Sequence, residues 1–286
     1  MTPNSAAAAA VPVWMITGCS TGFGRELARQ TLERGFRVVL TARDPATIRE
    51  LAAAYPDTAL ALELDVTRSE DVRHAVRESQ RAFGPVDVLV NNAGYGYYAP
   101  IEEGDDAAVR TMFETNFFGL VALTRALLPS MRVRRKGFIV NVSSVGGLVA
   151  HPGSGYYAAT KFAVEAVSEA LSKEVAPLGV RVLLVEPGPF RTRFIDNAQG
   201  APGVRIPDYE STVGVRRAAV HAASGKQPGD PARGAAAIIA AVESPSPPLR
   251  LVLGAQALGH IRAKLKSLTE DIETWEATTL ASDFPA

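Results

Sequence analysis

The sequence predicts an α/β fold, a doubly wound parallel sheet with helices on both faces, built as one domain. Three observations predict it. Short β-rich runs alternate with longer runs of helical period, the pattern of consecutive βαβ units. The β-rich runs are continuously apolar, as strands covered by helices on both faces are. A glycine-rich turn joins the first such run to the first helical one, where an open α/β sheet binds its ligand.

The elements follow in order. VWMIT (13–17) is the first strand and GRELARQTLERG (24–35) the first helix. RVVLTA (37–42) is the second strand, PATIRELAAAY (45–55) a helix, ALALELD (59–65) the third strand, and SEDVRHAVRESQRAFG (69–84) a helix. VDVLVNN (86–92) is a strand, and one long helix is expected over Ala107 to Arg134. GFIVNVSS (137–144) and VRVLLVEPG (180–188) are two more strands, separated by the long helical pattern after Tyr157. Pro231 to Val242 forms a helix capped by Asp230 with Pro231 at its first position. LRLVLG (249–254) adds an edge strand. Residues 190–229 break the rhythm with scattered Gly, Pro, Arg and Ser, and are expected to form a substrate loop or lid; the bland alternative is a surface insertion.

Composition narrows the function classes. Of 286 residues, 47 % are hydrophobic and 21 % charged, and 30 basic residues balance 30 acidic ones. A net charge of zero offers no footprint for nucleic acid or an anionic membrane, and no window reaches the ~20 apolar residues of a membrane span. The single cysteine, Cys19, forms no internal disulfide, which suits a cytoplasmic location. Residues 1–12, alanine-rich and without a basic leader, read as a disordered terminus ahead of a domain spanning 13–286. The histidines are dispersed, and no cluster has metal-ligand spacing.

The turn Thr17-Gly18-Cys19-Ser20-Thr21-Gly22-Phe23-Gly24 has glycines that admit a pyrophosphate close to the backbone, and the helix after it offers free N–H groups. It predicts a dinucleotide in a Rossmann-type fold. After the second strand, an NAD site places a carboxylate to take the ribose hydroxyls; this chain has Thr41-Ala42-Arg43, and a guanidinium there holds a 2′-phosphate. NADP(H) is therefore expected in preference to NAD(H), the alternative being that Arg43 pairs with Asp44. Asp65, with Val66 after it, ends the third strand and is placed for the adenine. The turn Asn91-Asn92-Ala93-Gly94 ends the fourth strand, and its small residues and side-chain amides suit it to line the ribose, the plain alternative being an Asn-Gly-type turn.

GSGYYAATKFAVEAV (153–167) sets two tyrosines ahead of a lysine. Tyr157 and Lys161 are i, i+4 and share a helix face, whereas Tyr156 is rotated away by about 100°. A fixed ammonium would lower the phenol from its usual value near 10 and suit it to acid–base work. Tyr157 is the expected acid/base, Lys161 its tuning partner, and Tyr156 a packing or substrate-touching residue. At Ser143-Ser144, successive side chains of a strand point oppositely, so one faces the site; geometry alone does not choose.

These residues together resemble the short-chain dehydrogenase/reductase family over about Val13 to Thr192. TGCSTGFG resembles its TGxxxGxG turn, NNAG its NNAG, Asn116 in ETNFFG its asparagine, and YAATK its YxxxK. Pro187, Gly188 and Thr192 resemble a PGxxxT element that meets the nicotinamide amide. The resemblance assigns the serine to Ser144, thirteen residues before Tyr157, leaving Ser143 to brace the strand end or cofactor. It implies a catalytic tetrad of Asn116, Ser144, Tyr157 and Lys161, in which Lys161 also holds the nicotinamide ribose and Asn116 holds a water leading to solvent. A ketone or secondary alcohol would exchange hydride with the nicotinamide. Pairing through the helices at 107–134 and after Tyr157 implies a homodimer or homotetramer.

SVGGLVA after Ser144 and the segment from Gly229 to Gly254 resemble the 17β-hydroxysteroid dehydrogenase-like branch, implying a small hydrophobic carbonyl or alcohol substrate. Candidate pocket residues are Tyr95, Tyr97, Tyr98, His151, Phe190 and Phe194. A rival reading keeps the fold as a non-catalytic NADP-sensing module, against which the complete tetrad argues.

Overall fold

The computed structural model describes residues 11–200 and 205–284. Residues 1–10 of the expected N-terminal segment, and 201–204 of the expected loop, lie outside the described residues.

The chain begins with β1 (Val13–Ile16), α1 (Gly22–Glu33), β2 (Arg37–Ala42), α2 (Ala46–Ala53), β3 (Ala59–Glu63), α3 (Ser69–Phe83) and β4 (Val88–Asn91). Next come a short β5 (Tyr97–Tyr98), α4 (Asp106–Phe113), α5 (Gly119–Arg134), β6 (Gly137–Val142), α6 (Gly155–Val175) and β7 (Val180–Pro187). β8 (Gln199–Gly200), α7 (Val215–Ala222), α8 (Pro231–Glu243), β9 (Arg250–Leu253), α9 (Ala255–Thr274) and α10 (Glu276–Leu280) complete it.

Seven strands form one sheet in the order β3-β2-β1-β4-β6-β7-β9, every neighbouring pair parallel. β1, β4 and β6 are buried at every position, which is why their sequences lack alternation. Two apolar layers cover the faces. One joins Trp14, Ile16, Leu27, Val38 and Val140 to Ile238 and Ile239 of α8; the other joins Met15, Val39, Leu89 and Ile139 to Leu123, Leu127 and Met131 of α5. The strand order reverses between β1 and β4, where an open α/β sheet leaves a crevice beyond its carboxyl ends.

Two departures from expectation bear on the site. The helix expected over 107–134 is interrupted: a π-helical turn at Glu114–Phe118 separates α4 from α5. Such turns occur at functional sites, and this one carries Asn116 inward. The chain after β9, to which the sequence pattern assigned nothing, forms the 20-residue α9 and the short α10.

Candidate active site

The cofactor turn is held from both sides of the crevice. Thr17 Oγ1 accepts from the backbone N–H groups of Asn92 and Ala93, each at 2.9 Å, and Asn92 Nδ2 donates back to the Thr17 carbonyl at 2.8 Å. Gly18 has φ +71°, and a Cβ on Gly24 would lie 2.5 Å from Asn92 Nδ2; only glycine lets helix, turn and Asn92 meet this closely. The Asn92 side chain is therefore occupied in bracing the two loops. Thr21 caps α1 without a side-chain hydrogen bond, leaving the first N–H groups of the helix free toward a groove of ≈ 750 Å³ lined by Ser20, Thr21, Gly22, Arg191 and Thr192. Thr192 sits over Gly22. The ring of Phe23 turns away, stacking on Phe190 with centroids 4.8 Å apart. Free helical N–H groups and a cradle that a side chain would fill fit a dinucleotide phosphate.

Arg43 follows the end of β2, is exposed, and makes neither an ion pair nor a hydrogen bond among the described residues; Asp44 instead accepts from Ala46 N at 2.9 Å. The alternative of an Arg43–Asp44 pair is not what the structure holds. The charge of Arg43 reaches Tyr95, opposing the burial that raises the Tyr95 phenol. Asp65 Oδ1 accepts from Thr67 N and Oγ1 at 2.9 and 2.7 Å, and Val66 is buried against Gly119. Pro187 ends β7, and Gly188 N donates to Leu253 O at 2.9 Å.

Asn116 is buried and clamps one backbone unit. Its Oδ1 accepts from Tyr95 N at 3.0 Å, while Nδ2 donates to Tyr95 O at 2.9 Å and to Thr160 Oγ1 at 3.2 Å. A Cβ on Gly94 would lie 3.0 Å from Asn116 Oδ1 and 3.7 Å from Lys161 Nζ, so Asn116, Gly94 and Lys161 are adjoining. Lys161 Nζ donates to Val142 O, the last residue of β6, at 2.8 Å. Burial lowers Lys161 to about 8, with Glu165 pulling the other way.

Tyr157 stands in the first turn of α6, 8 % exposed. Ser144 Oγ accepts from Gly146 N at 3.0 Å, and Gly146 lies against both the Tyr157 ring and Ser144 Oγ. Ser143 points oppositely, toward Glu165 across Gly147, so the strand alternation is resolved with Ser144 on the tyrosine side. The expected lowering of the Tyr157 phenol is not found. Burial pushes it well above its ordinary value; the Ser144 hydroxyl opposes this and Tyr98 adds to it. The lysine ammonium, 6.0 Å from the ring centre, is directed to Val142 O, and desolvation prevails.

Tyr156 is turned elsewhere. Its hydroxyl donates to Ile101 O at 2.7 Å and its ring meets Tyr97 edge-on. Tyr97 is fully buried, its hydroxyl accepting from Asp105 N at 2.8 Å. Of the candidate pocket residues, Phe194 packs on the Tyr157 ring at 5.5 Å, and Tyr98 lies close enough to affect its phenol. His151 pairs with His260 of α9 at 5.1 Å, its pKa lowered by burial, then by Arg216 and His260. Phe190 is not brought to the tyrosine; it packs on Phe23 beside Gly229 and Gly234.

The sequence reading missed a buried charged group behind Lys161. Glu165 is one helical turn after Lys161, and Glu186 is in β7, fully buried. Arg250 of β9 lies 3.3 Å from each and 2.9 Å from Glu169. Burial, reinforced by Glu165 and opposed by Arg250, raises Glu186 to about 7. The i, i+4 spacing of Lys161 and Glu165 was the available signal; Glu186, inside an apolar strand, had none.

A sequence profile described as short chain dehydrogenase matches residues 12–201. The chain is 34 % identical over 271 residues to oxidoreductase BOA17 of Botryotinia fuckeliana, covering 94 % of this chain and 98 % of that one. It is 44 % identical over 184 residues to a 3-ketodihydrosphingosine reductase of Bacteroides thetaiotaomicron, covering 64 % of this chain and 65 % of that one. The structure resembles that of a short-chain dehydrogenase from Streptomyces avermitilis with a TM-score of 0.90 and 41 % identity, over 96 % of this chain and 100 % of that one.

Proposed function

The chain belongs to the short-chain dehydrogenase/reductase family, and on that premise we propose that it interconverts a ketone and a secondary alcohol of a small hydrophobic molecule, using NADP(H). The observation that carries the reading is one constellation: the Tyr157 phenol beside Ser144, with Phe194 over its ring and Lys161 one turn behind.

When bound, the nicotinamide dinucleotide supplies or accepts the hydride at the carbonyl carbon. The protein's groups do the rest. Ser144 and Tyr157 hydrogen-bond the substrate oxygen and stabilise charge developing there. Tyr157 donates the proton in reduction, a role favoured by a raised phenol that is fully protonated at neutral pH. Lys161 holds the ribose, and Asn116 fixes the Gly94–Tyr95 backbone around it. The turn from Gly18 through Ser20, Thr21, Gly22 and Phe23 to Gly24 receives the phosphates, with Arg43 on the 2′-phosphate. Asp65 and Val66 border the adenine, Asn92, Ala93 and Gly94 the ribose, and Pro187, Gly188 and Thr192 the nicotinamide amide. Phe194, Tyr95 and His151 face the substrate. The reductase from Bacteroides thetaiotaomicron acts on a ketone, which supports the reaction class.

Among the described residues, no helix is long and apolar enough to cross a membrane, and a cytoplasmic homo-oligomer assembled through α5 and α6 is the proposed form. Exposed Phe118, immediately before α5, and exposed Phe162, within α6, support it. The test is NADPH oxidation, followed by absorbance, over aliphatic, aromatic, steroidal and quinone carbonyls. Consumption dependent on one carbonyl class supports the proposal; tight NADPH binding with no carbonyl consumed would count against it.

A further inference from the structure

The strongest unabsorbed feature is α9. Its first turns rest on β9 and on the Val145–Gly147 turn, burying Ala257 and Ile261. Beyond Ile261 the helix leaves the body, and every described residue from Arg262 to Phe284 is exposed. A helical stretch as short as that from Arg262 to Thr274 is marginal in water without packing, and a helix solvated all round is ordinarily polar all round. This one is not.

Leu258, Ile261, Leu265, Leu268, Ile272 and Trp275 recur at alternating steps of three and four, the period of a coiled-coil seam rather than of a helix lying on a core. Five of the six are open to solvent: Leu258 41 %, Leu265 58 %, Leu268 46 %, Ile272 60 % and Trp275 63 %. The stripe spans about 26 Å at the helical rise.

The charges along the helix identify the occupant. Arg262, Lys264 and Lys266 lie before the midpoint of the apolar stripe, and Glu270, Asp271 and Glu273 after it. Two copies side by side in the same direction would oppose like charges. Reversed, they set each basic half along an acidic one, and the apolar seam becomes self-complementary: Leu265 meets Leu268, Ile261 meets Ile272, and Leu258 meets Trp275 of the second copy. In that register Lys264 and Asp271 flank the seam as opposed charges on both sides of a two-fold axis between Lys266 and Ser267. An anionic membrane surface fits less well, because it would repel the acidic half.

We propose that α9 is a self-pairing element, through which two copies of this chain associate as an antiparallel helix pair about a two-fold axis. The pairing uses a surface separate from α5 and α6 and from the catalytic crevice, so it stands or falls apart from the proposed activity. It also brings the second copy near the pocket edge, since His260 on the same helix touches His151.

The experiment is sedimentation velocity of the full chain over a concentration series, with NADPH binding measured alongside. Leu265→Lys with Ile272→Lys, both at exposed positions, is expected to halve the mass of the largest species and leave NADPH binding unchanged. Lys264→Asp and Asp271→Lys are each expected to weaken association, and their combination to restore it. Mild oxidation of mixed Leu265→Cys and Leu268→Cys chains should crosslink the mixture more than either alone. An unchanged mass in the double lysine variant, or a wild type monomeric throughout, would overturn the proposal. Crosslinking within each single cysteine variant would overturn the antiparallel order. Stripe-dependent flotation of the wild type with phosphatidylserine vesicles, without self-association, would replace the second copy by a lipid surface.

Discussion

Arg43→Ala is expected to erase the preference for NADPH over NADH without disturbing the fold. Arg43 is exposed beyond β2 and has no ion pair or hydrogen bond among the described residues, so its removal strands no buried group there. Its backbone is fixed by its neighbours: Ala42 is buried and pairs in register with Glu63 of β3. A guanidinium on a phosphate contributes about 1.5–3 kcal/mol when well formed. The exposure of Arg43 places the expectation near the lower end, at about 2 kcal/mol, or roughly a thirtyfold rise in the NADPH dissociation constant. NADH, lacking the phosphate, should change by no more than about twofold, and the NADPH effect should shrink with added salt. Arg43→Asp should go further and favour NADH, since a carboxylate there accepts from the ribose hydroxyls. Both cofactors can be titrated by quenching of intrinsic tryptophan fluorescence. An unchanged ratio of dissociation constants in Arg43→Ala would refute the assignment.

Other expectations rest on single contacts. Tyr156→Phe removes one hydrogen bond, to Ile101 O; stability should fall by about 1 kcal/mol with turnover largely kept, and a loss of turnover equal to that of Tyr157→Phe would show the wrong tyrosine has been chosen. Asn116→Leu leaves the buried Tyr95 N–H and carbonyl unpaired, and chemical denaturation should register a cost of about 2–4 kcal/mol; a neutral result would mean the clamp is not needed. Glu186→Gln tests the buried charges that Glu186 shares with Glu165, Glu169 and Arg250. Glu186 is raised from 4.5 to about 7, so the native state binds its proton more tightly and stability declines as pH rises through that window. The variant, which cannot ionise, should match wild type near pH 4.5 and exceed it above pH 7 by up to about 3 kcal/mol; a gap independent of pH would contradict the shift.

Much of this molecule is legible in its sequence because local signals and tertiary demands agree. Strands such as RVVLTA and GFIVNV lack polar–apolar alternation because both faces are covered, and the Tyr157–Lys161 spacing works because α6 is an ordinary helix there. Failures occur where a long-range contact overrides a local pattern. Nothing in DAAVRTMFETNFFGLVALTR announces that the helix widens at Glu114–Phe118, where Asn116 reaches the backbone of Tyr95, a partner distant in sequence. The Tyr157 phenol was expected low from its neighbour in sequence; its pKa is set by burial under Phe194 and by Tyr98, both remote. Arg250 gathers carboxylates from α6 and β7 that no spacing relates. The seam of α9 was present as a heptad but lay beyond the last strand, where no core called for a helix.

The most direct test of the central claim is the turnover of Tyr157→Phe with a carbonyl that wild type reduces, measured alongside its NADPH dissociation constant. The phenol is proposed to give its proton to the substrate oxygen while the crevice binds the cofactor independently, so NADPH binding should stay within about twofold while turnover falls by at least about a hundredfold. Turnover kept within about tenfold, with the cofactor still bound, would contradict the assignment of Tyr157 as the proton donor.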